Sequence, residues 1–301
     1  MEEKRVVERT RAFGNLTDER PAMPSTTEKR SAFRRLHEAG CFVIPNPWDV
    51  GTTRYLQHLG FKALATTSAG FAFSRGVPDA AVSRDQMLAH IAEIVAASDL
   101  PVNADFEGGY AHEPAGVAES VRLCVATGVA GLSIEDSTGD KDKPLYDLEL
   151  AVERIKAARA AIDQKGGDVL LTGRAECFLV GRPDLDETIR RLRAYAQAGA
   201  DCLYAPGIRT REQIAAVVKA AAPKPVNLLM PGALGLTVAD VAALGVRRIS
   251  VGGTIARVAF GAFIRAAKEI AGEGRFDAFA GAVPHAELNA FFRDDMKKRS
   301  P

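Results

Sequence analysis

The stretch Pro101-Val102-Asn103-Ala104-Asp105-Phe106-Glu107-Gly108-Gly109-Tyr110 decides how the rest of the chain is read. It begins as an apolar, extended run behind a proline. It ends in two carboxylates at i and i+2, with two glycines directly after. Alternate residues of a strand share a face, so Asp105 and Glu107 are expected to project together where a strand enters a flexible loop. Two carboxylates held that close repel unless protons or a cation lie between them. A hard divalent ion that prefers oxygen ligands, Mg²⁺ or Mn²⁺, suits such a pair. For an isolated Asp-x-Glu the plainer alternative is a solvated acidic turn.

Seven other apolar runs share this form, at residues 42–47, 63–68, 131–136, 169–175, 202–206, 226–230 and 248–252. Segments of helical period lie between and after them, at residues 83–97, 114–127, 148–163, 185–198, 210–221, 237–244 and 254–271, and one more helix is expected ahead of them at 27–39. Near-continuous apolar strands belong to a parallel sheet covered on both faces. Eight β/α units favour a closed (β/α)8 TIM-type barrel over an open doubly wound sheet. A dinucleotide-binding sheet would carry G-x-G-x-x-G after its first strand, and Asn46-Pro47-Trp48-Asp49 is nothing like that. Gly199 and Gly245 mark helix-to-strand turns.

The 301 residues are 47% hydrophobic and 26% charged, with a net charge of +1, which gives no reason to expect a nucleic acid or an anionic membrane as partner. No apolar run reaches the roughly 18–20 residues of a membrane span. The charged start, Glu2 to Arg11, is unlike a secretory signal. Cys41, Cys124, Cys177 and Cys202 are scattered, without a C-x-x-C, and read as free thiols of a reducing cytoplasm. Residues 1–27 are polar and proline-dotted and read as a tail, 28–272 as the barrel, and 273–301 as a helical extension. That extension's Leu288, Phe291 and Phe292 need a surface, expected on a neighbouring subunit.

In such barrels chemistry sits where strands end. The ends here are polar: Asn46 to Asp49, with Trp48; Thr67, Ser68 and Ala69, with Asp79 in the following loop; Asp105 and Glu107; Glu135 and Asp136; Arg174 and Glu176; Tyr204; and Asn227. Asp105, Glu107 and Glu135 would surround a metal. Arg174 would either fork a substrate carboxylate or pair with Glu176 or Glu135. The Thr67–Gly70 turn offers backbone amides to an anion. Glu135-Asp136 would alternatively cap the next helix, and Asp79 would be a turn residue after proline.

Taken together, these residues resemble the isocitrate lyase and phosphoenolpyruvate mutase superfamily over about residues 30–272. The resemblance rests on Asp105 to Tyr110, similar to that family's D-x-D-x-G-Y metal motif, on Ile134-Glu135-Asp136, on Gly173 to Glu176, and on Thr67 to Gly70 with Gly76 to Asp79. It implies that Asp105 holds Mg²⁺ directly and that Glu107 and Glu135 hold it through water. It implies substrate contacts from Arg174 and from Thr67, Ser68 and Ala69, and a place beside the reacting atoms for Asp79. It also implies a homotetramer exchanging C-terminal helices. Asp79, Arg174 and Glu176 are the expected catalytic residues, and Trp48 and Asn227 are added to the substrate contacts.

One departure narrows the chemistry. The lyases carry K-[KR]-C-G-H in the loop after the fourth strand, whereas residues 137–146 here have neither cysteine nor histidine, only Lys141 and Lys143 that would close over an anion or stay solvated. The expected function is Mg²⁺-dependent carbon–carbon cleavage of a small α-oxo or α-hydroxy carboxylate such as oxaloacetate. Phosphonomutase-type P–C chemistry or non-catalytic oxo-acid binding are the alternatives.

Overall fold

A computed structural model describes residues 23–299. Residues 1–22, most of the expected tail, lie outside the described residues. In chain order the elements are α1 (Thr26–Glu38), β1 (Phe42–Ile44), α2 (Val50–His58), β2 (Leu64–Ala65), α3 (Ser68–Ser74), α4 (Arg84–Ala96), β3 (Val102–Asp105), α5 (Pro114–Ala126), β4 (Gly131–Glu135), α6 (Leu148–Asp163), β5 (Leu170–Arg174), α7 (Leu185–Gln197), β6 (Cys202–Tyr204), α8 (Arg211–Ala221), β7 (Val226–Leu229), α9 (Val238–Ala243), β8 (Arg248–Ser250), α10 (Thr254–Glu273), a 3-10 turn (Asp277–Gly281) and α11 (His285–Arg299).

All eight strands pair in parallel, in the order β1-β8-β7-β6-β5-β4-β3-β2. The Ala65 amide donates to the Pro45 carbonyl at 3.0 Å across the remaining seam, so the sheet nearly closes into a (β/α)8 barrel. Alternation divides each strand between two environments. On β3 and β4, Ala104, Leu132 and Ile134 are buried and join Val117, Val121 and Cys124 of α5 in the main apolar core. Asn103, Asp105 and Ser133 face the barrel interior and line its cavity.

The amino end of the barrel is plugged. Ser25 and Glu28 make a reciprocal cap that starts α1. Phe33, fully buried, then packs with Ile44, Ala63, Ala65 and Leu170. A side chain at Gly131 would meet Phe33 and Asn103 at 2.7 Å, so only glycine lets α1 sit this close. Among the described residues the interior cavity lies toward the carboxyl ends of the strands.

One expectation needs correction. The run 63–68 is a strand for two residues only: Thr67 caps α3, its hydroxyl taking the Gly70 amide at 3.1 Å, and Ser68 begins that helix. The eighth barrel helix, α10, buries only Ala256, while Val258 and Phe263 are each 66% exposed. The C-terminal helix α11 rests in part on its own chain. Phe291 sits edge-on to Tyr55 at 4.9 Å and His58 at 5.0 Å, both of α2, although Leu288 and Phe292 stay exposed. Among the described residues no helix is long and apolar enough to cross a membrane.

Candidate active site

At the mouth of the barrel a cavity of about 150 Å³ is lined by Thr67, Ser68, Ala69, Asp79, Asp105 and Arg174 at the rim. Below them lie Asn103, Tyr204, Asn227, Arg248 and Ser250. Its size suits a few-carbon acid rather than a nucleotide. A second cavity, of about 290 Å³, adjoins it and is lined by Glu107, Glu135, Tyr110, His112, Ser137 and Tyr146.

Asp105 is held from two sides. Its Oδ2 accepts from the Ser68 amide and hydroxyl, each at 3.0 Å, and its Oδ1 accepts from Arg174 at 3.1 Å. The first amide of α3 is thus committed to positioning a carboxylate of the protein.

Glu107 does not share a strand face with Asp105, as the i, i+2 spacing suggested. β3 stops at Asp105, and Glu107 takes a left-handed backbone (φ 47°), which turns it toward the second cavity. Ala80 (φ 63°) and Tyr110 (φ 57°) share that conformation, so the strained non-glycine backbone gathers around this mouth. The Tyr110 hydroxyl donates to Glu107 at 3.0 Å.

Arg174 is the centre of the arrangement. Its Nη1 pairs with Asp105 at 3.1 Å and with Glu135 at 3.0 Å, and its Nε pairs with Glu176. Asp79 and Glu107 also feel its charge. Five carboxylates therefore surround one guanidinium, and the shortage of positive charge shows in their titration. Burial pushes the Glu107 carboxyl up to about 7. Burial also raises Glu135 well above the usual range and raises Glu176, with Arg174 opposing in both cases. Asp79 is raised by burial and by the Asp105 charge.

Among the described residues no group of three or more His, Cys, Asp or Glu is set as a ready coordination sphere. Arg174 stands between Asp105 and Glu135, where such a sphere would form. The donor set nevertheless fits a hard divalent cation: every ligand atom on offer is a carboxylate oxygen, and one guanidinium cannot neutralise all five acids.

Other expected residues fall differently. Trp48 is half-buried and outside the cavity lining; its amide donates to Thr52 Oγ1 at 3.3 Å, beside the start of α2. Asn227 reaches the cavity but is 1% exposed, with both ends of its amide engaged within the protein. Asp136 caps no helix. It faces outward, accepting from Arg191 at 3.0 Å, from Tyr195 at 2.5 Å and from the Glu176 amide at 2.8 Å, and so fixes the backbone that carries Glu176. The loop after β4 is a small closed hairpin, with a Ser137–Leu145 bridge. Lys141 stays exposed, and Lys143 is spent on Asp147 at 2.7 Å.

Arg248 escaped the sequence reading, and Tyr204 entered it only as the polar end of a strand. Arg248, 2% exposed, lies inside the barrel with uncharged partners: Asn227 at 2.9 Å, Thr172 at 3.0 Å and His37 at 3.3 Å. Burial, and then the Arg248 charge, push His37 down to about 3, so its ring is neutral and accepts from the arginine. Tyr204, 8% exposed, lies under Arg174, whose guanidinium carbon is 5.2 Å from the ring centre.

A (β/α)8 barrel that gathers acids and an arginine at the carboxyl ends of its strands has the architecture of an enzyme. The chain matches the phosphoenolpyruvate phosphomutase family over residues 33–271 and belongs to it, within the isocitrate lyase/phosphoenolpyruvate mutase superfamily of lyases and mutases. A crystal structure from Burkholderia cenocepacia J2315, described as a lyase/mutase, is 52% identical with a TM-score of 0.86, covering 89% of this chain and 97% of that one. The oxaloacetate decarboxylase of Paraburkholderia xenovorans (strain LB400) is 29% identical over 74% of this chain and 75% of its own length. A phosphonopyruvate hydrolase solved with oxalate and Mg²⁺ is 26% identical with a TM-score of 0.79, covering 90% of this chain and 96% of that one.

Proposed function

We propose that this enzyme cleaves a carbon–carbon bond of a small α-oxo or α-hydroxy carboxylate, with decarboxylation of oxaloacetate as the leading reaction. The observation that carries the reading is the crowd of five carboxylates around Arg174, which calls for a hard cation and, with it, a chelating oxo acid. The Paraburkholderia relative, named for this reaction, and the Mg²⁺ and oxalate of the phosphonopyruvate hydrolase support it.

Asp105, Glu107 and Glu135 would hold the cation, Mg²⁺ or Mn²⁺. Bound there, it would supply Lewis-acid polarisation of the substrate's oxo oxygen. Ser68 holds Asp105 in place for that task. Once the charge of its acids is met, the Arg174 fork can grip a substrate carboxylate bidentately, oriented by Glu176 at its Nε. Loss of CO₂ leaves its electron pair on the carbon that becomes the enolate, and that carbon must then take a proton. The loop after β4, with no cysteine, does not offer the thiol that the lyases use.

The test is a screen of oxaloacetate, 2-hydroxy diacids and phosphonopyruvate with purified protein and Mg²⁺, read against Mg²⁺ alone. The expected result is protein-dependent formation of pyruvate and CO₂. Interconversion of phosphonopyruvate and phosphoenolpyruvate without oxaloacetate loss would make it a mutase. Tight oxalate binding without turnover would make it an oxo-acid-binding protein.

The proposal includes a homotetramer of the reducing cytoplasm in which neighbouring copies cover the C-terminal helices. Its support is the 20-residue α10, which stands off its own barrel with Val258, Phe263 and Ile264 exposed. Truncation after residue 275 should leave α10 without α11 and lower the mass measured by light scattering. An unchanged mass would refute that role for the extension.

A further inference from the structure

We infer that Arg154 is a positioning residue of the cation site: from α6 it fixes the loop that presents Glu107. The inference rests on the reading of Asp105, Glu107 and Glu135 as that site, and it names what keeps one of the three carboxylates in place.

Glu107 stands on an unfavourable backbone. Glu107, Gly109 and Tyr110 all take the left-handed conformation, with φ of 47°, 74° and 57°. Non-glycine residues rarely adopt it, and such strain persists only where the surroundings over-determine it. Three contacts do so here. The Glu107 carbonyl accepts from the Glu135 amide at 3.1 Å. The Tyr110 hydroxyl donates to the Glu107 carboxylate. The third contact is Arg154, 1% exposed. Its Nη1 donates to the carbonyls of Ala111 at 2.5 Å and His112 at 2.6 Å, and its Nη2 donates to that of Gly108. One rigid fork thus spans the loop on both sides of its left-handed turn.

The same guanidinium joins this loop to the one that follows Glu135. Its central carbon lies 4.1 Å from the centre of the Tyr146 ring. The Tyr146 hydroxyl meets His112 Nδ1 at 2.5 Å, and the Tyr146 amide donates to the Asp136 carbonyl at 3.0 Å. Glu107 and Glu135, which line the second cavity together, are therefore carried by two loops tied through one side chain.

Stability alone does not account for this arrangement. A buried guanidinium whose hydrogen bonds go only to carbonyls is costly, and Arg154 Nε has no hydrogen-bond partner among the described residues. An apolar side chain would fill the place at less cost. Only a planar fork holds three carbonyls at fixed spacing. Gly108 leaves it room, since a Cβ there would come within 3.2 Å of Arg154 Nη2.

The sign of the effect separates positioning from charge. Arg154 feels the negative charge of Glu135. Acting only as a nearby positive charge, it would oppose a cation, and its removal would tighten cation binding. Acting as the tie that aims Glu107, its removal lets the strained loop relax and weakens binding.

The experiment titrates Mn²⁺ into cation-free wild type, Arg154→Met and Arg154→Lys by electron paramagnetic resonance, with melting temperatures to confirm folding. Arg154→Met should raise the Mn²⁺ dissociation constant about 10- to 100-fold, the range for groups that orient metal ligands. Arg154→Lys keeps the charge without the fork and should raise it about 10-fold. Unchanged or tighter Mn²⁺ binding by a folded Arg154→Met protein overturns the inference. Should Arg154→Met fail to fold, wild-type affinity in Arg154→Lys overturns it. Variants that match a Mn²⁺-binding wild type sink Arg154 and leave the cation site standing. Wild type that binds no Mn²⁺ sinks both.

Discussion

Arg174, half-buried at the mouth, and Arg248, buried below it, point into the same barrel, yet their company is opposite. Arg174 at the mouth is shared among Asp105, Glu135 and Glu176, with Asp79 and Glu107 nearby. Arg248, lower down, donates to the neutral acceptors Asn227, Thr172, His37 and Asn103. The mouth lacks positive charge and the interior has it in excess. Buried charge left unmet is costly, so each imbalance anticipates a guest: a cation above, and negative charge of a substrate below.

The largest expected effect comes from removing the mouth's guanidinium. Arg174→Met strands Glu135 and Glu176 in a buried site and should cost about 3–5 kcal/mol in urea unfolding without divalent cations. Added Mg²⁺ should return part of that loss. Asp105→Ala should lower turnover at least about 100-fold, or roughly 2.7 kcal/mol of transition-state stabilisation, while the melting temperature stays close to wild type. Arg248→Met leaves neutral acceptors without a donor, which is cheaper, about 1–3 kcal/mol, and Mg²⁺ should not restore it. Equal costs for the two arginines, or equal rescue by Mg²⁺, would break the comparison.

Much of the mouth was legible in the sequence, because strand-end acids and Arg174 fall directly before loops at regular intervals and the eight apolar runs count out a barrel. The interior was not. Arg248 sits in Leu-Gly-Val-Arg-Arg-Ile, which reads as a charged helix-to-strand turn. Its partners lie 21 residues away at Asn227 and 211 away at His37, so only the closed sheet identifies it as buried. The strands looked wholly apolar because their outward residues carry the pattern, while Asn103, Ser133, Thr172 and Asn227 turn inward. Glu107 was misplaced because its left-handed backbone breaks the alternation on which the pairing argument stood.

Titration sharpens the contrast further. Glu107 has a folded pKa raised from 4.5 to about 7, so the folded protein holds the extra proton between those values. The stability present below pH 4.5 is lost as pH rises through about 7. The melting temperature of the cation-free protein should fall between pH 5 and 8, and Glu107→Gln should flatten that slope. A melting temperature that climbs over this range would contradict the charge balance described for the mouth. The smallest effect is expected at the surface, where Lys143→Ala breaks an exposed pair with Asp147 and should change stability by less than about 0.5 kcal/mol.

The most direct test of the account is a count of Mn²⁺ bound per chain, by electron paramagnetic resonance at pH 8. One bound ion is predicted for wild type and for Arg248→Met, and none for Asp105→Ala. No bound ion in wild type, or binding that Asp105→Ala leaves untouched, would contradict the claim that the five carboxylates at the mouth are built around a cation.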